Sequence, residues 1–233
     1  MNFIPTKLEG CFIIEPKIIL DERGYFMESF NENTFQKSVN QKVHFVQDNQ
    51  SYSSKGVLRG LHYQTGEHAQ AKLVRVLQGE VLDVAVDIRP NSPTFGQYEA
   101  VLLSGENQRQ FFVPRGFAHG FLVLSDTATF FYKCDNFYNK DLEGGVYYND
   151  PALNIDWRIP ADKQIISDKD KLQPTFENCK NNFVFNAATI FWAQGLASPP
   201  GHMVPWSHWS RPNGPDARVQ QITRNLLNRA IGP

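Results

Sequence analysis

Lys72-Leu73-Val74-Arg75-Val76-Leu77-Gln78-Gly79-Glu80-Val81-Leu82-Asp83-Val84-Ala85-Val86-Asp87-Ile88 is the stretch that decides the fold. Leu82, Val84, Val86 and Ile88 alternate with Asp83, Ala85 and Asp87. A period of two places each set on one face of a β-strand. A second apolar strand, residues 72–77, precedes it, and Gln78-Gly79-Glu80 lies between. That spacing predicts a hairpin with glycine in its turn.

The pattern continues outward. Strands are expected at 43–47, 57–63, 98–103, 110–113, 121–124 and 129–134, with Pro90, Pro93, Pro114 and Gly116 as breakers between them. One short helix is expected at 32–39. Many short strands at even spacing imply an all-β sandwich or barrel.

Bulk composition narrows the function classes. The chain has 233 residues, 41% hydrophobic and 20% charged, with a net charge of −1. No global field draws in nucleic acid or an anionic membrane, so an anionic ligand must be held by a few placed cations. The first residues do not read as a secretory signal. The best apolar run, 183–197, is short and broken by Asn186, Gln194 and Gly195, so no membrane span is expected. Cys11, Cys134 and Cys179 are scattered, which suggests neither a disulfide framework nor a CxxC site and fits a reducing cytoplasm. Beyond about residue 178 the composition shifts: from Asn181 onward there are four Arg and one Asp, with no Lys or Glu. Asp216 could cap a helix carrying Val219, Ile222 and Leu226 on one side. The chain is therefore divided into a domain at 1–178 and a C-terminal extension at 179–233, whose role the sequence does not define.

Several residues can do chemistry. His62 lies in Leu58-Arg59-Gly60-Leu61-His62-Tyr63-Gln64. Strict alternation puts Arg59 and His62 on opposite faces. A strand histidine is most often structural, and an arginine there most often a surface ion-pair partner. Lys72 opens an apolar strand, where a lysine either reaches solvent from the strand end or is buried for a reason. Tyr132, in Phe130-Phe131-Tyr132-Lys133, shares a face with Phe130 and Cys134, as a packed core tyrosine would. His119 is flanked by Gly116 and Gly120 and could approach a ligand or sit in a turn. No metal site is expected: His62 is followed two residues on by Gln64, His68 is too distant along the chain, and His119 has no histidine two residues away. No nicotinamide fingerprint of the form GxGxxG is present.

Nine segments together carry a resemblance. They are residues 21–29 (DERGYFMES), 45–49 (FVQDN), 58–64 (LRGLHYQ), 72–76 (KLVRV), 83–89 (DVAVDIR), 92–96 (SPTFG), 114–121 (PRGFAHGF), 149–151 (NDP) and 167–170 (SDKD). In this order and spacing the chain resembles the dTDP-4-dehydrorhamnose 3,5-epimerases. The resemblance implies a cupin-type jelly-roll barrel with short peripheral helices, working as a homodimer without a cofactor. It implies His62 as catalytic base, Asp170 as the carboxylate paired with it, Tyr132 as proton donor, and Lys72 as stabiliser of the enolate at the sugar carbonyl. Arg59, His119, Glu143 and Lys169 match positions lining the nucleotide-sugar site. Arg23, Phe26, Glu28, Gln47 and Asn49 match positions that hold the nucleotide, some of them reaching the other subunit's site. Three departures stand out: Ala71 replaces a usual Gly, Arg115 a usual Glu, and Tyr147-Tyr148 a common Leu-Trp pair.

The set suits the implied reaction. A 4-keto sugar has acidified C–H bonds at C3 and C5, and inversion needs a base on one face, a charge sink for the enolate oxygen and an acid on the other face. Rival readings are an epimerase acting on C3 or C5 alone, a non-catalytic sugar-nucleotide-binding cupin, and a metal-dependent oxygenase.

Overall fold

The computed structural model describes residues 1–177. The expected extension at 179–233, its helix after Asp216 and Cys179 lie outside the described residues. Among the described residues, fourteen strands and two α-helices occur in the order β1 (Asn2–Pro5), β2 (Phe12–Glu15), β3 (Ile18–Asp21), β4 (Gly24–Met27), α1 (Glu32–Val39), β5 (Gln47–Ser54), β6 (Val57–Gln64), β7 (Lys72–Gln78), β8 (Glu80–Asp87), β9 (Tyr98–Ser104), β10 (Gln110–Val113), β11 (Phe117–Val123), β12 (Thr127–Cys134), β13 (Glu143–Gly145), β14 (Ile165–Ile166) and α2 (Asp168–Lys171).

Two sheets form the barrel. One runs β1-β2-β10-β7-β12-β5 and the other β13-β6-β11-β8-β9, with β14 added to β6 in parallel. The core lies between them, built from Val74 and Val76 of β7, Phe111 and Val113 of β10, and Ala128 and Phe130 of β12 on one side, and Val81 and Ala85 of β8, Val101 and Leu103 of β9, and Phe117, Phe121 and Val123 of β11 on the other. This is a jelly roll with short peripheral helices, as the resemblance implied.

The fold-deciding stretch behaves differently from its local pattern. β7 and β8 are both strands, but they do not pair as a hairpin. They belong to different sheets, and Gly79 turns the chain from one to the other. Gly79 has φ +83°, and a Cβ there would lie 2.0 Å from the Thr127 carbonyl oxygen, so no other residue fits the corner. The corner is held by the neighbouring crossing between β11 and β12: Ser125 Oγ accepts from the Glu80 N–H at 2.7 Å, and the Leu124 N–H donates to the Glu80 carbonyl at 2.9 Å. The expected connection, Gln78-Gly79-Glu80, allows either pairing or crossing, but in the structure Gly79 alone separates the two strands. Burial decides for crossing, because every residue from Val81 to Asp87 is buried and both faces of β8 need cover.

α1 forms as expected. Asn31 caps it by accepting the Thr34 N–H at 3.2 Å, and Asn40 ends it in the left-handed conformation at φ +52°. Its apolar side, Phe35 and Val39, packs with Val43, Leu73 and Phe112 on the outer face of the first sheet. Phe35 meets Phe112 edge-on at 5.0 Å and Phe45 at 5.5 Å. Truncating Phe35 to alanine should cost about 3–5 kcal/mol.

The expected strand at 43–47 is not one. Val43 instead belongs to the helix cluster, and the strand starts at Gln47. β5 reads Gln-Asp-Asn-Gln-Ser-Tyr-Ser-Ser, without apolar alternation, because its inward face lines a polar cavity instead of the core. β3 and β4 form a hairpin apart from both sheets, with Leu20 and Phe26 strongly exposed.

Candidate active site

The site lies between the two sheets, which supply its groups from opposite sides. β7, β12 and β5 carry the first set. In the cross-strand register Lys72 faces Cys134, Val74 faces Tyr132, and Tyr132 in turn faces Asn49. Directly paired residues share a sheet face. Lys72, Tyr132, Gln47 and Asn49 therefore project to the inside together with the core residues Val74 and Phe130.

β6 and β11 carry the second set. His119 pairs with His62 and Phe121 with Arg59, so three steps along β6 match two along β11. The extra residue is a bulge. It corrects the expectation from strict alternation: Arg59 and His62 reach one cavity instead of opposite faces. Gly60 makes the bulge possible. Its φ is +136°, and a Cβ would stand 2.6 Å from the Gly120 Cα.

The segment after residue 160 completes the site. β14 pairs with β6, Ile165 opposite Val57 and Ile166 opposite Leu58. Ser167 then caps α2 by accepting the Asp170 N–H at 3.1 Å. Docking this short turn against β6 delivers Lys169 and Asp170 to the cavity.

Asp170 Oδ1 lies 2.6 Å from His62 Nε2, and the Gly60 N–H reaches Asp170 Oδ2 at 3.5 Å. Burial pushes the Asp170 carboxyl up, but the His62, Gly60 and Ser167 hydrogen bonds outweigh it and hold the group below its usual range. Asp170 stays ionised, and the nitrogen it binds on His62 is set. Nδ1 is left as the second ring nitrogen.

A cavity of about 530 Å³ is lined by Arg59, His62, Lys72, His119, Tyr132, Lys169 and Asp170, among others. A second lobe of about 270 Å³ is lined by Gln47, Asn49, Tyr138 and Glu143 and shares His62, Lys72 and Tyr132 with the first. The three central residues thus stand where the lobes meet. Desolvation lowers the pKa of Lys72, partly offset by Cys134, Asp83 and Glu143. A desolvated ammonium gains more from an oxyanion than one in water. Burial raises the pKa of Tyr132, so its hydroxyl keeps its proton until a strong base accepts it.

Two partnerships were not visible in the sequence. His119 Nε2 meets both Asp83 oxygens, at 2.9 and 3.0 Å, with both residues buried. Asp83 sits in an apolar strand, and that is the signal that could have marked it. Glu143 accepts from the Tyr138 hydroxyl at 2.7 Å and pairs with Lys169 Nζ at 2.6 Å. Among the described residues no three of His, Cys, Asp or Glu gather as a metal site. No helix among them is long and apolar enough to cross a membrane.

Arg23, Phe26 and Glu28 are not brought to this chain's cavity. Arg23 pairs with Asp21 on the β3–β4 hairpin, Phe26 is 69% exposed, and Glu28 accepts from Asn31 Nδ2 at 3.2 Å.

A family model described as dTDP-4-dehydrorhamnose 3,5-epimerase matches residues 5–178. The dTDP-4-dehydrorhamnose 3,5-epimerase of Shigella flexneri is 57% identical over 170 residues, covering 73% of this chain and 93% of the relative. The crystal structure of the enzyme of that name from Elizabethkingia anophelis NUHP1 is similar at a TM-score of 0.75 and 58% identity, covering 76% of this chain and 97% of its own. The dTDP-6-deoxy-D-glucose-3,5-epimerase of Legionella pneumophila, solved in complex with dTDP-4-keto-L-rhamnose, is similar at 0.73 and 52%, covering 76% and 93%. The chain belongs to the dTDP-4-dehydrorhamnose 3,5-epimerase family.

Proposed function

We propose that this chain inverts C3 and C5 of dTDP-4-dehydro-6-deoxy-D-glucose to give dTDP-4-dehydro-L-rhamnose, as a cytoplasmic homodimer in dTDP-L-rhamnose synthesis. The observation that carries the reading is the meeting of His62, Lys72 and Tyr132 at the junction of two cavity lobes, with base and acid on opposite sheets.

His62, oriented by Asp170, takes the proton from the carbon next to the ketone. The electron pair of that C–H bond moves into the ring, and the enolate oxygen at C4 carries the negative charge. Lys72 neutralises it. Tyr132 returns a proton to the carbon from the other side, and the configuration is inverted. No electrons leave the substrate, so the reaction needs no redox partner. Arg59 is the cation suited to the diphosphate, since its guanidinium fork matches phosphate oxygens. Its Nε and Nη2 both rest on Ser53 Oγ at 3.2 Å.

Two features support a homodimer with shared sites. The β3–β4 hairpin presents Arg23 and Phe26 away from its own cavity, and it exposes Ile19, Leu20 and Tyr25 beside them. An exposed apolar hairpin next to a cation and a stacking ring suits a partner's nucleotide end. Cys11 and Cys134 are buried free thiols, in keeping with a reducing compartment.

Incubation with dTDP-4-dehydro-6-deoxy-D-glucose in heavy water tests the function. Deuterium should enter at both C3 and C5, with the L-rhamno product visible by proton NMR. Incorporation at one carbon alone would refute the double inversion.

A further inference from the structure

Asp135 follows the last residue of β12 and lies next to Ala71, the residue before Lys72. Its side chain is 8% exposed. Oδ1 accepts the Ala71 N–H at 2.6 Å, and its own N–H donates to the Ala71 carbonyl at 3.2 Å. The two residues thus clamp each other beyond the Lys72–Cys134 pair that ends the ladder. The other carboxylate oxygen, Oδ2, accepts from Arg115 Nε at 2.8 Å. Arg115 belongs to the connection between β10 and β11, so one carboxylate joins the start of β7 to a loop outside the strands. Beside it, Gln70 Nε2 donates to the Asn136 carbonyl at 2.8 Å. The two departures at positions 71 and 115 noted in the sequence therefore meet on a single group.

We propose that Asp135 is a positioning residue for Lys72, holding the first peptide of β7 so that the ammonium stays where the enolate oxygen forms, with Arg115 keeping the carboxylate in place. This rests on the role given to Lys72 above. The physical reason is the location of the clamp. Lys72 is laddered to Val113 and to Cys134, but the ladder continues from it in one chain direction only, and the residue before it needs another hold. Lys72 hangs from that end, and a displacement of about 1 Å at a catalytic group can cost up to roughly a hundredfold in rate. A hydrogen bond with an ionised acceptor is stronger than a neutral one, which suits a clamp.

The test compares Asp135→Ala and Asp135→Asn with the parent enzyme. The backbone bond from residue 135 to Ala71 survives in both, so the ladder end is kept and folding is expected. Asp135→Ala should lower kcat about tenfold or more with KM within about twofold, because the nucleotide contacts are untouched. Asp135→Asn retains an oxygen for the Ala71 N–H and should recover most of the lost kcat. A purely structural role would lower Tm in Asp135→Ala and leave kcat per folded molecule unchanged, and that result overturns the proposal. Should Asp135→Ala fail to fold, Arg115→Ala decides: a fall in kcat at constant KM supports the clamp, and parental kcat sinks it. Parent enzyme that turns over no keto-sugar would instead defeat the functional reading itself, so the two failures are separable.

Discussion

His62 Nε2 and Asp170 Oδ1 stand 2.6 Å apart although the two residues are 108 positions apart in the chain. The pair depends on β14 docking in parallel on β6, the same strand that carries His62. A buried carboxylate with a depressed pKa holds the ring by one nitrogen, which is the support that the base role proposed for His62 requires. His62→Ala should leave the fold intact and reduce kcat by about 10²–10⁴-fold, the usual worth of a positioned base. Asp170→Asn should also lower kcat, with a smaller effect on KM. Steady-state kinetics and circular dichroism check both; near-parental turnover in His62→Ala would exclude it as the base.

Tyr132 packs against Phe130 at a centroid distance of 5.9 Å and projects from the sheet opposite His62. Tyr132→Phe keeps that packing and removes only the acidic proton. Inverted product should fall about 10²-fold. Exchange of substrate hydrogen with heavy water should continue, since His62 can still take and return a proton. NMR separates exchange from inversion. Equal loss of both would remove Tyr132 from the role of acid acting after the base.

Arg23 lies on a hairpin away from its own cavity. If it serves the partner's site, Arg23→Ala and His62→Ala should complement each other. In a mixed dimer one site receives both intact residues. Co-expression at equal levels makes half the dimers mixed, so about a quarter of parental activity should return. Activity no greater than the sum of the two parent variants would place Arg23 outside the partner's site.

Asp87 has a fully buried carboxylate that accepts from Arg89 at 2.9 and 2.7 Å and from Ser92 and Thr94 at 2.6 Å each. Burial raises its pKa, but the hydrogen bonds outweigh that and hold it at about 2, below the ordinary 3.8. A carboxyl with a depressed pKa in the folded state stabilises the fold above its unfolded value, and that contribution is lost as pH falls. The loss here runs from about pH 4 down to about 2. Asp87→Asn should therefore have a lower Tm than the parent at pH 7, with the gap closing across that window. Thermal melts at stepped pH would show it, and a constant gap would argue against the assignment.

Much of the fold was legible before any coordinates. Period-two alternation in β8, the breakers around it and the short helical stretch of α1 define their elements locally, since propensity and burial of one face act over neighbouring residues. The resemblance names His62, Lys72, Tyr132 and Asp170 as a candidate set, and all four line one cavity. Alternation says which side chains share a face. It does not say which strand lies alongside, so β7 and β8 read as a hairpin when they are in different sheets. Nor does it show a bulge, which put Arg59 beside His62. The extent of β5 is not legible in the sequence because its inward face is polar. The partnerships of His119 with Asp83 and of Asp135 with Ala71 and Arg115 join distant segments. Local pattern sets the apolar strands of the core, the helix α1 and the chemical groups on offer. Which of those groups meet is set by how two sheets close over a shared interior, a long-range matter of burial that no local pattern records.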